Sequence, residues 1–285
     1  MSGTTSTTTP GLTTRPGRAD SGTSGGAPGT PGAYTQPFLT LSWLHLKYQF
    51  LDTVRVPVAV LGNMLFPSLA MFFFVVPQTV VAGNPLFATT AVAGLSLFAV
   101  CSASLFTYGL GVAEDRQLPF YPYLRSLPTG PGPQMVGRVL NGGIFSLFGL
   151  VPLIIIGWLF TAATVTLGQL LAGIGTVLAV SVPFVLLGMT IGYSLSAKAA
   201  LPVVQVVLFP LAFAGGLFMP PQMFPGWLDA ISQATPTRAG RDLLVQVTTG
   251  AEAYALALPV LAGWTLLFAL LGVAAYRKDE GRRFR

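Results

Sequence analysis

Six apolar runs, at about 56–77, 86–111, 134–160, 168–195, 199–219 and 252–276, constrain this chain more than any other feature. Each is close to the roughly 20 residues that carry an α-helix across a hydrocarbon layer about 30 Å thick. Hydrophobic residues make up 52% of the chain and charged residues 8%, where an ordinary soluble domain carries about 25% charged. A soluble fold cannot hide that much apolar surface. The expected fold class is an all-α integral membrane protein with six transmembrane helices. The single cysteine, Cys101, sits inside an apolar run, so neither an intramolecular disulfide nor a cysteine-rich metal site is available.

The segments between the runs set the organisation. Residues 1–36 are rich in Thr, Gly, Ser and Pro with almost nothing large and apolar before Tyr34, a composition that does not offset the entropy of ordering and reads as a disordered tail. No apolar core follows its basic residues, as a signal peptide requires. Residues 37–277 form the transmembrane domain, and 278–285 a short basic tail. At the start of the domain, Ser42, His45, Gln49 and Asp52 fall on one helical stripe and Leu39, Trp43, Leu46, Phe50 and Val54 on another. This is the pattern of an amphipathic helix in the membrane interface. Lys47 and Arg55 flank it within reach of lipid phosphates, and His45, on the polar stripe, reads as solvated.

The lysines and arginines orient the spans. With both termini on the cytoplasmic side, that side holds 13 of the 15 basic residues and the outer side only Arg238 and Arg241. Such a bias is the positive-inside pattern, and it places both termini in the cytoplasm of a multi-pass plasma-membrane protein. A net charge of +6 spread in this way sets topology; it is not a nucleic-acid surface. No Asp, Glu, Lys or Arg lies well inside a run, which argues against a pump or secondary transporter that carries its own coupling ion. Asn63, Asn141, Gln169 and Gln205 read as helix-to-helix hydrogen bonds, and Gly188 with Gly192 as a close-packing pair within one subunit.

Two interruptions stand out. Glu114 to Arg138 (EDRQLPFYPYLRSLPTGPGPQMVGR) places charges, aromatics and five prolines between the second and third runs. On the charge tally it is cytoplasmic. The other follows Gly215-Gly216, where LFMPPQMFPGWLDAISQATPTRAGRDLLVQVTTG contains two helical patterns too short to span. Trp227, Leu228 and Ile231 give the first an apolar side; Thr235 as N-cap with Pro236 in the first position starts the second. This is the signature of a re-entrant outer helix pair, whose irregular backbone is tolerated where protein or water satisfies it. Arg238 and Arg241 share a face of the second, either as anchors to outer phosphates or as ordinary solvated charge.

Catalytic motifs are missing. There is no GxxxxGK[ST] phosphate loop, HExxH pair, Cys/His metal spacing or GxSxG elbow. Glu114 and Asp115 are adjacent and diverge on a helix, so they make a poor acid–base pair. The chain reads as a membrane protein that is not an enzyme and takes its energy from a partner.

Arg125-Ser126-Leu127-Pro128 and Gly137-Arg138 after the Glu114-Asp115-Arg116 cluster resemble the cytoplasmic coupling region of type-2 ABC exporter permeases, particularly the daunorubicin-resistance-like branch. Gly215-Gly216-Leu217-Phe218, Pro220-Pro221, Phe224-Pro225-Gly226-Trp227-Leu228 and Pro236 are similar to that family's segment before its last span. The resemblance covers roughly residues 38 to 278. It departs at Leu118-Pro119-Phe120-Tyr121-Pro122-Tyr123, where many relatives carry Gly-Thr, so the coupling helix starts later or is shorter.

The resemblance implies a permease that pairs with itself and with two copies of a separate ABC ATPase subunit, which binds the ATP and Mg; this chain holds no cofactor or metal. It implies a cytoplasmic coupling helix, with Glu114, Asp115, Arg116, Tyr121, Tyr123, Leu124 and Arg125 at the ATPase contact. Pro220, Pro221, Pro225, Trp227, Pro236, Arg238 and Arg241 mark the outer re-entrant element. Spans without ionisable groups suit export of a hydrophobic or amphipathic drug or lipid. The alternative is a scaffold subunit that recruits a cytoplasmic partner and moves nothing.

Overall fold

The computed structural model describes residues 37–55, 57–119 and 131–282, and Gly3, with 57–63, 131 and 280–282 described by backbone alone. Among these residues every regular element is helical. In order they are α1 (Phe38–Val54), α2 (Pro57–Ala70), α3 (Thr79–Ala82), α4 (Pro85–Leu105), α5 (Gly111–Asp115), α6 (Pro131–Phe160), α7 (Leu167–Ser194), α8 (Ala197–Ala214), α9 (Gly226–Gln233), α10 (Pro236–Thr249) and α11 (Ala257–Arg282). One wide π turn, Met71–Val75, extends α2, and another, Phe106–Leu110, joins α4 to α5.

Among the described residues, five helices are long and apolar enough to cross a membrane: Pro85–Asp115, Gly132–Phe160, Leu167–Ser194, Ala197–Ala214 and Ala257–Asp279. The run expected at 56–77 is helical from Pro57 to Val75, and its described apolar part is Met64–Val75. Two boundaries differ from the sequence expectation. The helix expected to reach 219 stops at Ala214, because Gly215 and a left-handed Gly216 (φ 69°) turn the chain. A side chain is strained at that φ, so glycine is required there. The last span starts at Ala257 rather than 252, and its helix continues to Arg282, so much of the expected basic tail is helical.

Local chemistry explains where the helices begin. Asn84 caps α4 by accepting hydrogen bonds from the Leu86 and Phe87 amides, with Pro85 in the first position. Thr166 and Gln169 form a reciprocal capping box at the start of α7. Thr235 accepts from the Arg238 amide and Pro236 follows it, as the sequence anticipates for α10. Each arrangement satisfies amides that the first helical turn otherwise leaves bare.

α7 is the central beam, packed against α11, α4, α6 and α10. Phe98, Val180, Phe184 and Leu208 are fully buried around it. Gly188 faces the wide turn of α4, where a β-carbon would lie 2.8 Å from the Ser104 carbonyl oxygen. At Gly192 one would meet the Tyr108 carbonyl at 2.5 Å. The GxxxG pair therefore brings two backbones together within one chain, the geometry small residues permit.

α1 is turned the opposite way from a helix on a soluble core. Ser42 and Leu46 are buried and His45 is half-buried, while Leu39 and Trp43 are 79% and 64% exposed. The partly polar stripe faces α6: a β-carbon on Gly137 would lie 2.8 Å from that of His45. His45 is therefore not solvated as expected. Burial, and then the Arg138 charge, lower its pKa and favour the neutral imidazole. An outward apolar stripe suits a helix whose surroundings are lipid, since apolar surface facing hydrocarbon costs nothing.

Of the four amides expected to bridge helices, Asn141 does so, donating to the Tyr108 hydroxyl at 3.2 Å and to Thr53 at 3.4 Å. Gln169 instead serves its own helix cap, Gln205 is exposed, and the side chain of Asn63 lies outside the described residues.

Replacing Gly188 by Val forces a side chain against backbone and is expected to destabilise the chain by about 1–3 kcal/mol. Gly175, beside which a β-carbon meets nothing within 4 Å, supplies the control. Thermal unfolding of the detergent-purified chain should show a lowered midpoint for Gly188→Val and none for Gly175→Ala; equal midpoints would refute the α4–α7 contact.

Candidate functional site

At the C-terminal end of α5, the sequence-predicted charges part company. Glu114 is exposed. Arg116 turns inward, where its Nη1 donates to the carbonyls of Gly192 and Leu195, both at 2.8 Å, and its Nη2 pairs with Asp279 of α11. Gly192 lies in the last turn of α7 and Leu195 just follows it, where carbonyls lack helical partners and carry partial negative charge. A guanidinium suits that position because its planar fork serves several acceptors at once. One side chain thus holds the ends of three helices, α5, α7 and α11.

Asp115 faces a second pair. Its Oδ2 accepts from Nη2 of Arg138 in α6 at 3.3 Å, with the Arg138 side chain only 9% exposed. The Arg138 guanidinium carbon lies 5.9 Å from the centre of the Tyr193 ring, within cation–π range. Tyr193 meets Tyr276 of α11 edge-on, with ring centres 5.1 Å apart. Of the three charges expected at the ATPase contact, Glu114 is exposed, Asp115 is half-exposed while it pairs with Arg138, and Arg116 turns inward, so Asp115 and Arg116 also bind this end of the bundle to itself. Tyr121, Tyr123, Leu124 and Arg125 lie outside the described residues.

Sequence reasoning missed Asp279, Tyr193 and Tyr276. Asp279 carries one weak signal, a carboxylate within the basic run Arg277-Lys278-Asp279-Glu280-Gly281-Arg282-Arg283, where a solvated tail needs none. Tyr193 carries another, standing next to Gly192 of the close-packing pair.

The far end of α4 and α7 holds the other interruption. Pro220 precedes a 3-10 turn, Pro221–Met223, in which Pro221 is buried, and Pro225 precedes α9. Trp227 and Ile231 are 67% and 55% exposed, so the apolar side of α9 faces away from the chain. α10 does the reverse and packs among α4, α7 and α11. The Thr237 hydroxyl donates to the Leu211 carbonyl of α8 at 2.7 Å, while Tyr254 and Trp264 donate to the carbonyls of Gln233 and Ala234, each at 2.8 Å.

Arg238 and Arg241 are neither solvated nor open to phosphate at the surface. Arg238 donates to Asp242 at 2.6 Å and to Asp229 at 3.0 Å, tying α9 to α10. Arg241, 4% exposed, donates through Nη1 to the other Asp242 oxygen at 2.8 Å. Burial lowers its pKa and Asp242 opposes that shift. The i,i+4 spacing of Arg238 and Asp242 was a readable signal for this pairing. Both arginines border a cavity of about 1150 Å³, whose wall includes Phe66, Phe87, Phe209 and Phe213 from α2, α4 and α8, Phe74 from the π turn, and the turn after Gly216. Among the described residues no group of His, Cys, Asp and Glu is arranged to hold a metal ion.

Losing Arg116 removes the described charge partner of the buried Asp279 and the donor to two helix-end carbonyls, and breaking a buried pair in this way costs about 3–5 kcal/mol. Arg116→Ala and Asp279→Ala should each lower the thermal midpoint, and the double variant should lose less than the sum. Strict additivity in that cycle would show that the pair makes no contribution as a pair.

The profile described as ABC-2 type transporter matches residues 40–248. The chain is 24% identical over 234 residues to "Putative transport permease YvfS" of Bacillus subtilis (strain 168), covering 78% of this chain and 91% of that protein. It is 26% identical over 258 residues to the "Daunorubicin resistance ABC transporter permease protein DrrB1" of Streptomyces coeruleorubidus, covering 84% of this chain and 83% of the relative.

Proposed function

Because this chain belongs to the ABC-2 type transporter family, we propose that it is the membrane-spanning permease subunit of an ATP-driven exporter, working as a homodimer with two copies of an ABC ATPase subunit. ATP and Mg are bound by that partner. The helix from Pro57 to Val75 acts as the first of six spans, and the charge distribution puts both termini and the Arg116 end in the cytoplasm. α9 and α10 then form the outer element before the last span.

The observation that carries this reading is the Arg116 junction. The loop after α5 is the proposed docking segment for the ATPase, and Arg116 is the residue by which its near edge grips α7 and α11. When the ATPase dimer closes on ATP, force on this loop passes through the guanidinium into two spanning helices as a rigid-body shift. Glu114, exposed two residues earlier, faces the partner beside the half-exposed Asp115, with Tyr121, Tyr123, Leu124 and Arg125 completing the contact. Apolar spans and the large phenylalanine-lined cavity favour a hydrophobic or amphipathic cargo, a drug or lipid taken from the cytoplasm or inner leaflet.

Two sets of variants separate docking from transmission. Glu114→Arg and Arg125→Glu should reduce co-purification of the ATPase. Arg116→Lys keeps a charge but loses the fork, so it should retain ATPase binding while lowering transport per ATP hydrolysed. Full binding and transport in both charge reversals would remove the docking assignment, and unchanged transport per ATP in Arg116→Lys would remove the transmission role.

A further inference from the structure

A second cavity, of about 660 Å³, lies between α4, α6, α7 and α10. Leu244 and Thr248 of α10 line it, whereas Arg241, Asp242 and Val245 of the same helix line the larger one, so α10 borders both. Small residues leave the space open: Ala93 and Ser96 on α4, Gly157 on α6 and Gly173 on α7. A β-carbon on Gly173 would stand 3.7 Å from Thr248 and 3.9 Å from Leu244, ordinary contact with room to extend. Packed helices leave few voids larger than a water molecule. A gap of this size is therefore one that another molecule fills.

The wall narrows the occupant in three ways. None of the lining residues is charged, and the polar groups at its mouth are used within the chain. Thr89 donates to the Thr164 carbonyl at 3.4 Å and accepts from the Thr164 amide at 3.2 Å, Thr248 donates to the Leu244 carbonyl, and Gln169 serves the α7 cap. No head group is called for. The depth is the second constraint. The lining runs from Pro85 to Ser96 on α4 and from Thr161 back to Leu150 on α6, about 16 Å along each axis at 1.5 Å per residue. One leaflet of a hydrocarbon layer about 30 Å thick is about 15 Å deep. Finally, Ile154 and Trp158 of α6 and Ile174 of α7 line the space and are also exposed, so it opens sideways on the surface that meets lipid.

We infer that this groove seats one acyl chain of a membrane lipid from the leaflet at the Thr166 end, with its methyl end against Ser96, Leu150 and Val177 and its ester beside residues 161–165. The chain fills the gap on which Leu244 and Thr248 border and so supports α10. This site rests on the spanning helices and not on ATPase docking, and it is tested on the chain alone.

The full chain is reconstituted into vesicles of phosphatidylethanolamine and phosphatidylglycerol that carry a trace of lipid with a diazirine at the methyl end of one chain, and labelled residues are mapped by peptide mass spectrometry. Ser96, Leu150 and Val177 are buried, while Ile155 and Leu171 are exposed. A seated chain should label the first three; lipid that only coats the surface labels the last two, and labelling confined to them would overturn the site. In detergent, added lipid should raise the thermal midpoint by roughly 5 °C at saturation, equally for phosphatidylethanolamine and phosphatidylglycerol. Gly173→Leu places a better helix former in the gap, and should remove both the deep labels and the lipid-dependent rise. Gly175→Leu, at an exposed position beside which a β-carbon meets nothing within 4 Å, should keep both. A lipid response in Gly173→Leu equal to that of Gly175→Leu, or a tenfold preference for one head group, would also refute the proposal. The label map is read on the unaltered chain, so it decides the matter even where a variant is unstable.

Discussion

The contact between the Arg116 guanidinium, the two carbonyls at the end of α7 and Asp279 of α11 is the constraint on which this end of the bundle depends. In an apolar surrounding a charge is tolerated only when it is paired and its donors are used. Arg116 is paid for by an opposite charge and by helix-end carbonyls that need a donor in any case. Asp115 with Arg138 repeats the arrangement one position earlier, against a different helix. Two adjacent residues of opposite sign thus fasten α5 to α6 on one side and to α7 and α11 on the other. Adjacent side chains diverge on a helix, and here that divergence is what lets one short segment hold three long ones.

Much of the fold was legible because the lipid environment leaves so few alternatives. Runs of about 20 apolar residues become helices, since every backbone donor and acceptor must be satisfied within the segment. The start of α10 was equally plain, because Thr235 and Pro236 are local signals that act within one turn. What stayed hidden depends on which way a helix faces. The two stripes expected of α1 do not separate cleanly: Leu46 and Phe50, the latter against Phe145 of α6, lie inward with Ser42 and His45, while Asp52 is exposed with Leu39 and Trp43, and periodicity does not say which side meets protein. In water the apolar stripe turns inward, whereas here Leu39 and Trp43 point out and His45 lies against α6. Gln205 failed for the same reason, standing on the exposed side of α8.

The candidate sites were legible as segments and not as partnerships. The charges after α4 and those of α10 announce themselves against an apolar background. Their partners lie far along the chain, and only the fold brings Asp279 to Arg116 or Arg138 to Tyr193. Arg238 and Arg241 show the consequence. A basic pair at a membrane boundary suggests lipid phosphate, but Asp229 and Asp242 reach Arg238 first, and Arg241 is drawn inside.

α7 relates the two ends of the molecule. Its 28 residues span about 42 Å at 1.5 Å per residue, from the Thr166 cap to the carbonyls held by Arg116. Near its start, Gly173 packs beside Leu244 and Thr248 of α10; near its end, Gly188 and Gly192 rest on the backbone of α4. Between these contacts α7 carries Pro183, where a helix lacks one backbone hydrogen bond and bends most readily. On the transmission proposed through Arg116, α7 is the element that links this end of the bundle to α10, the helix that carries Arg241 into the cavity wall.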